Sequence, residues 1–287
     1  MFWRIGFGLE RWMAEIIETI YRGKIMRAYY EIIRITIKNS VVYKLDALIS
    51  TFGSFITLFV QIFLWKALYQ TNRIDNVSLS EMVTYQIFGI ILSILYINTV
   101  ASEVGNKVTD GSISMELIRP YNFAVSMFSK TIGNTISGFL IKGITVILFV
   151  IIFYNFRFKI SLMNTIILGI VIIFNVVIYW LMHYIIGLLH FVLINAGWFV
   201  RILGDTIRIL GGSIIPLWFF PSGLKQVSLF LPFQLLYQFP QSILINKVSI
   251  QELIFNLTVE VSWVIILSLA SFYLWQLGTK RLVIQGG

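Results

Sequence analysis

The side chains of this sequence that have the means to do chemistry are few, and they do not make a catalytic set. Its two histidines, His183 and His190, follow Asn175 and Tyr179 on roughly one helical face. A metal site needs further donors, and no third His, Cys or carboxylate lies at ligand spacing from them. Packing near a helix end is the expected role. Glu103 is the best carboxylate to set beside them for a membrane-embedded enzyme acting on lipids, and the grouping is weak. Arg201, Asp205 and Arg208 stand at i, i+4 and i+3, the spacing of pairs along one helix. They either line a water-filled vestibule or fix local structure. Glu260 lies well inside an apolar run, where an ionisable group is a functional candidate by default. Lys247 and Lys225 are the partners to consider, and a hydrogen-bonded structural role competes with substrate contact. The sequence holds no G-x-x-x-x-G-K-[ST] phosphate loop. Any ATP that drives this protein is therefore bound on another chain.

The elements that must position these residues follow from composition. Of 287 residues, 58% are hydrophobic and 12% charged, and the mean hydropathy is +0.86. A soluble domain carries about 25% charged residues. The surroundings must be lipid, where backbone groups pair internally and only helices or closed barrels span. The apolar runs have the length of spanning helices, about 20 residues, rather than the alternation of barrel strands. There is no cysteine, which excludes disulfides and thiolate metal sites. The net charge of +9 reflects basic residues crowded at span ends, not nucleic-acid binding.

The expected fold is all-α, an integral membrane protein with six transmembrane helices. The spans run over about 45–69, 82–103, 124–154, 162–193, 196–215 and 251–277. Residues 1–44 form a cytoplasmic or interfacial amphipathic segment, with Leu9, Trp12, Met13, Ile16 and Ile20 on one face of its first half. Residues 1–24 lack the continuous apolar core of a signal peptide, so the first span is expected to insert itself. Residues 45–277 form the membrane domain and 278–287 a cytoplasmic tail. With the N-terminus inside, thirteen basic residues lie in inner segments and five in outer ones, so both termini are placed inside. Between spans five and six, residues 216–250 are apolar but broken by Pro216, Pro221, Pro232 and Pro240. Proline breaks a helix interior, so this region is expected to form short re-entrant or surface helices.

Two polar features stand out against the apolar background. The first is "TDGSISMELIRPYNF", Thr109–Phe123, within a cytoplasmic loop at 104–123. Asp110-Gly111 signals a turn, and Ser112 or Ser114 can cap a short helix. Ile113 and Leu117 share a face of it, Glu116 and Arg119 lie nearby, and Pro120 stops it. Such a helix is either a knob for a groove on a cytoplasmic partner or a loop folded back on its own helices. The second is the stripe Asp46, Ser50, Ser54, Thr57 and Gln61 along span one. It lines a pathway or subunit interface, or else packs within the molecule.

Taken together, these segments resemble the membrane subunit (permease) of ABC type-2 exporters, near the daunorubicin-exporter-like branch. The resemblance begins at "YYEIIRITIKNSVVYKLDALIS", which is similar to the lead-in to span one, and continues through "FLWKALYQ". It includes the Gly, Leu and Arg-Pro of the Thr109–Phe123 loop, "LLHFVLINAGWFVRILGD", and the Gly, Pro-Leu, Phe-Pro and Leu-Pro-Phe pattern of "GGSIIPLWFFPSGLKQVSLFLPFQLLYQFPQSIL". It covers about residues 26 to 280, and residues 1–25 are extra to it. The resemblance implies a transmembrane half of an ATP-driven exporter of hydrophobic or amphiphilic compounds in the cell membrane. Two permeases, identical or homologous, would form the path. Separate cytoplasmic ATPase subunits would bind ATP and Mg, dock on the loop around Asp110 to Pro120, and leave this chain without catalytic residues or a cofactor. A secondary transporter or channel is the rival reading; many of those show inverted repeats, and none is visible here.

Overall fold

The computed structural model of the chain describes residues 23–40, 44–71, 77–154, 160–193 and 196–280. The amphipathic face expected over residues 1–22, Arg157, Lys159, the tail from 281 and the Asp46 side chain lie outside the described residues. Every regular element among the described residues is helical. A helix over 23–40 (α1) leads to α2, Lys44–Thr71. There follow α3 (Leu79–Leu95), α4 (Val100–Thr109), the single turn α5 (Ile113–Leu117) and α6 (Phe123–Gly138). A π-helical stretch, Phe139–Gly143, joins α6 to α7 (Ile144–Tyr154). Then come α8 (Leu162–Leu189), α9 (Gly197–Leu210), α10 (Ser222–Phe230), α11 (Phe233–Leu236), α12 (Gln238–Leu244) and α13 (Ile250–Lys280).

Sequence signals at the starts explain several of these boundaries. Ser78 and Glu81 form a reciprocal capping box on α3. Ser161 caps α8 through the Asn164 N–H, and Asn122 caps α6 through the Val125 N–H. Between α3 and α4 the Tyr96 to Thr99 break bends one apolar run without ending it.

Five runs are long and apolar enough to cross a membrane: Ile49–Gln70, Leu79–Thr109, Phe123–Ile152, Leu162–Leu189 and Ile250–Lys280. The expected fifth of six spans, 196–215, is not among them. Its helix, α9, has 14 residues, about 21 Å at the helical rise, against a hydrocarbon core of roughly 30 Å. It stops at Gly211 and Gly212, where Gly212 takes a φ of +78° that favours glycine.

α8 and α13 pack side by side and run parallel. At their starts Asn164 bonds Asn246 at 2.8 Å, and Met163 and Ile167 face Ile250 and Leu253 across a small cavity. At their far ends the Phe191 ring packs on Gly278 and Trp275. The chain from 190 to 249 must therefore regain the full length of α8, whose 28 residues measure about 42 Å. It does so in pieces: α9, a 3-10 turn at Leu217–Phe219, and α10 to α12.

Side chains of the long helices hold that broken route. The Tyr85 hydroxyl lies 2.7 Å from both the Gly212 carbonyl and Gln238 Oε1. The Tyr96 hydroxyl donates to the Leu236 carbonyl at 2.7 Å, and Asn175 Nδ2 to the Leu235 carbonyl at 2.8 Å. Gln234 Nε2 reaches Asn256 at 2.8 Å, and the Trp263 indole donates to the Phe230 carbonyl at 2.8 Å. Asn175 sits near the middle of α8, so the Leu235–Leu236 turn lies at mid-height in the bundle. From there the chain returns to Lys247, which pairs with Glu81 at the start of α3, 3.3 Å away. Buried backbone groups need partners, and this is what the polar residues of α3, α8 and α13 supply.

Candidate functional site

The segment joining α4 to α6 is a built structure rather than a slack loop. α4 ends at Thr109 with Asp110 as its cap, and Gly111 reverses the chain with a φ of +76°. Neither serine caps α5 as the sequence suggests. Instead Asp110 Oδ1 accepts the Ser112 N–H at 2.9 Å, and the Ser114 hydroxyl donates to the Gly111 carbonyl at 2.8 Å. The Ser112 side chain, and then its N–H, hold the Asp110 carboxyl below its usual range. Ile113 turns inward and is fully buried among Val104, Phe123, Tyr184 and Leu188. Ile113 and Leu117 therefore do not present one outward face. The apolar surface left outside is Met115 at 63% exposure, Leu117 at 46% and Ile118 at 79%.

Glu116 anchors the other side of α5. It is buried, with Lys107 Nζ 2.7 Å from one oxygen and Arg119 3.5 Å from the other. The short helix is thus bolted to α4 by an ion pair and to the core by Ile113. α1 adds a third tie. The Asn122 N–H donates to the Tyr29 hydroxyl at 2.9 Å, and the Tyr121 ring meets Tyr29 edge-on.

The polar stripe of α2 forms one wall of a cleft of about 480 Å³. Ser50, Gly53, Ser54, Thr57 and Gln61 face Gln86, Gly89, Ile90 and Ser93 of α3. Arg208, Ser213, Ile214 and Tyr237 close the remaining side. The sequence-predicted Ser50, Ser54, Thr57, Gln61 and Arg208 are thereby brought together. With its amide oriented to satisfy both neighbours, Gln86 donates to the Ser213 carbonyl at 3.2 Å and accepts from the Trp65 indole at 2.9 Å. Gln61 Oε1 is buried without a hydrogen-bond partner among the described residues.

Arg201, Asp205 and Glu260 do not line the cleft. Arg201, Asp205 and Arg208 are all exposed, and among the described residues no ion pair joins them. Their spacing allows pairing along α9, but the structure does not use it. Glu260 sits on α13, fully buried, with neither oxygen bonded to a partner among the described residues. The partner considered for it, Lys247, is engaged with Glu81, and Lys225 is exposed on α10.

Residues 55–286 match the family described as ABC-2 family transporter protein. The chain belongs to the ABC-2 transporter family. The match is to the family as a whole and does not reach the daunorubicin-exporter-like branch. No curated protein sequence matches it. An ABC-2 protein is the permease component of an ABC transporter, a class that works with ABC ATPase subunits. The family and the five apolar helices make this chain a multi-pass integral protein of the cell membrane.

For an ABC-2 permease the histidines are unremarkable. His183 Nδ1 lies 2.9 Å from the Tyr179 carbonyl, and His190 contacts the Ile186 and Gly187 carbonyls of its own helix. Glu103 binds Thr99 and Lys130 instead of either histidine. No group of three His, Asp or Glu able to hold a metal occurs among the described residues. The sequence reading missed the α3 wall of the cleft. Gln86, Gly89 and Ser93 recur at three and four residues in an apolar helix, the same signal that marked α2. It also missed Lys142, a lysine within the third apolar run on the π-helical Phe139–Gly143 stretch. π-helical turns are rare and frequent at functional sites.

Proposed function

We propose that this permease is the transmembrane half of an ATP-driven exporter of hydrophobic or amphiphilic compounds, worked by alternating access. Six crossings underlie the reading. The five long helices and the broken climb from 190 to 249 make an even number, which puts both ends of the described chain on one side. The basic residues favour the inside for that face. The 104–123 segment is then cytoplasmic, and residues 216–250 re-enter from the outer face with their turn at Leu235–Leu236. Such backbone is tolerated at membrane depth only where protein covers it. The bonds from Tyr96, Asn175 and Trp263 support that placement.

ATP and Mg are bound by two partner ATPase subunits, and no step on the nucleotide involves this chain. Their closure on ATP shifts the population between inward- and outward-facing states. Asp110, Gly111, Glu116, Arg119 and Pro120 shape the contact, and Met115, Leu117 and Ile118 fill it. The α2 stripe and Arg208 border the path between this permease and a second one, identical or homologous.

The carrying observation is the α5 knob. Three large apolar side chains stand exposed on one helical turn, held by the Lys107–Glu116 ion pair and a fully buried isoleucine. Solvent-exposed apolar groups on so rigid a mount suit a groove on a partner. Burying one such side chain contributes about 1.5–3 kcal/mol. Ile118→Asp and Leu117→Asp should therefore cut co-purification of the partner ATPase about tenfold or more, with the permease still inserted. ATPase recovery unchanged in both variants would end the reading.

A further inference from the structure

The cleft between α2, α3 and the end of α9 carries an inference about what it takes, and it rests on the pathway reading above. Among the described residues its one charged lining residue is Arg208, and none of those that line it is acidic. Among the described residues no carboxylate lies within ion-pair distance of that guanidinium, although Asp205 is one turn away. An arginine at this depth is costly unless it faces water or a counter-charge. Its guanidinium, a donor with no acceptor of its own, therefore lines the cleft without a carboxylate partner among the described residues.

Four hydroxyls of the cleft, those of Ser54, Thr57, Ser93 and Ser213, have the opposite character. Ser54 donates to the Ser50 carbonyl at 3.1 Å and Thr57 to the Gly53 carbonyl at 2.9 Å. Ser93 donates to the Ile90 carbonyl at 2.7 Å, and Ser213 to the Arg208 carbonyl at 3.1 Å. Each has used its one proton on its own backbone, so each offers only lone pairs to a ligand. Gln61 Oε1, buried and without a partner among the described residues, adds another acceptor. The described wall thus combines one cation with several acceptors and the Tyr237 hydroxyl, beside apolar surface from Ile90 and Ile214.

A cationic head would meet Arg208 and be repelled. A purely apolar molecule would strand the acceptors. A head with one anionic group and several hydroxyl donors satisfies both sets. We infer that the cleft binds amphiphiles with an anionic, hydroxyl-bearing head of the phosphoglycerol or sugar-phosphate kind.

Four probes with one dodecyl tail separate charge from hydroxyl count: dodecyl phosphoglycerol, dodecyl phosphate, dodecyl maltoside and dodecyltrimethylammonium. Binding is measured to the full chain in phosphatidylcholine nanodiscs. Dodecyl phosphoglycerol should bind tightest, and both phosphates should exceed the ammonium probe about tenfold or more. Arg208→Gln should abolish the phosphate advantage, and Arg208→Lys should keep most of it. Thr57→Val should weaken phosphoglycerol and maltoside while leaving dodecyl phosphate unchanged. Equal binding of all four heads, or a phosphate preference that survives Arg208→Gln, overturns the inference while the pathway reading stands. Binding of none above empty nanodiscs overturns the inference and the pathway reading together.

Discussion

Glu116 and Glu260 are both buried carboxylates, and their surroundings assign them opposite energetic signs. Glu116 has Lys107 at 2.7 Å and Arg119 at 3.5 Å. Truncating it leaves the Lys107 ammonium without its partner, and hydrogen bonds to charged groups contribute about 1.5–3 kcal/mol. Among the described residues Glu260 has no partner for either oxygen, so an apolar replacement removes an unmet polar group, again about 1–3 kcal/mol. Glu116→Leu should lower the thermal midpoint of the purified permease, and Glu260→Met should raise it. A Glu260→Met variant that melts well below the parent would show that the carboxyl has a partner in the working molecule. Of these two, only Glu260 was conspicuous in the sequence, because a charge inside an apolar run is visible without coordinates. The burial of Glu116 was not, since Lys107 is brought to it by the Gly111 reversal.

At the scale of elements, the five long helices were legible because lipid demands continuous apolar runs of a fixed length. The α2 stripe was legible for the same reason, as a period of three to four survives in any helix. α9 was misjudged because apolar residues continue past Gly211 and Gly212, and only the backbone shows where the helix stops. α5 was misjudged because one turn has too few residues for periodicity to say that Ile113 points in. The residues that close the cleft on α2 come from α3, α9 and Tyr237, and local pattern does not encode such distant pairings. The two positive-φ glycines differ in a testable way. A Cβ at Gly111 meets open space, whereas one at Gly212 comes within 2.8 Å of Gln238. Gly111→Ala should cost only the left-handed strain, about 1–2 kcal/mol. Gly212→Ala should cost more, because Gln238 also bonds Tyr85 and the Leu217 N–H. Equal midpoints for the two variants would argue against the Tyr85–Gln238 junction as a fixed joint.

For the whole molecule, the absence of cysteine makes topology directly measurable. Single cysteines at Ile118 and Lys280 should react with an impermeant maleimide only after the cells are opened. One at Val248 should react in intact cells. One at Leu236, inside the bundle, should resist from both sides. Labelling of Ile118 from outside would invert the proposed orientation, and free reaction at Leu236 would take the 216–250 segment out of the membrane.

The parallel course of α8 and α13 bears on how the protein is made. A translocon releases segments that are stable alone in lipid, and the piecewise climb from 190 to 249 is not such a segment. Its Phe230 carbonyl waits for Trp263 and its Gln234 amide for Asn256, both on α13. Biogenesis should therefore finish late, with the last helix acting as the clasp that closes the chain. A nascent chain halted at residue 249 should remain protease-sensitive and be cleared, whereas one halted just past 280 should mature.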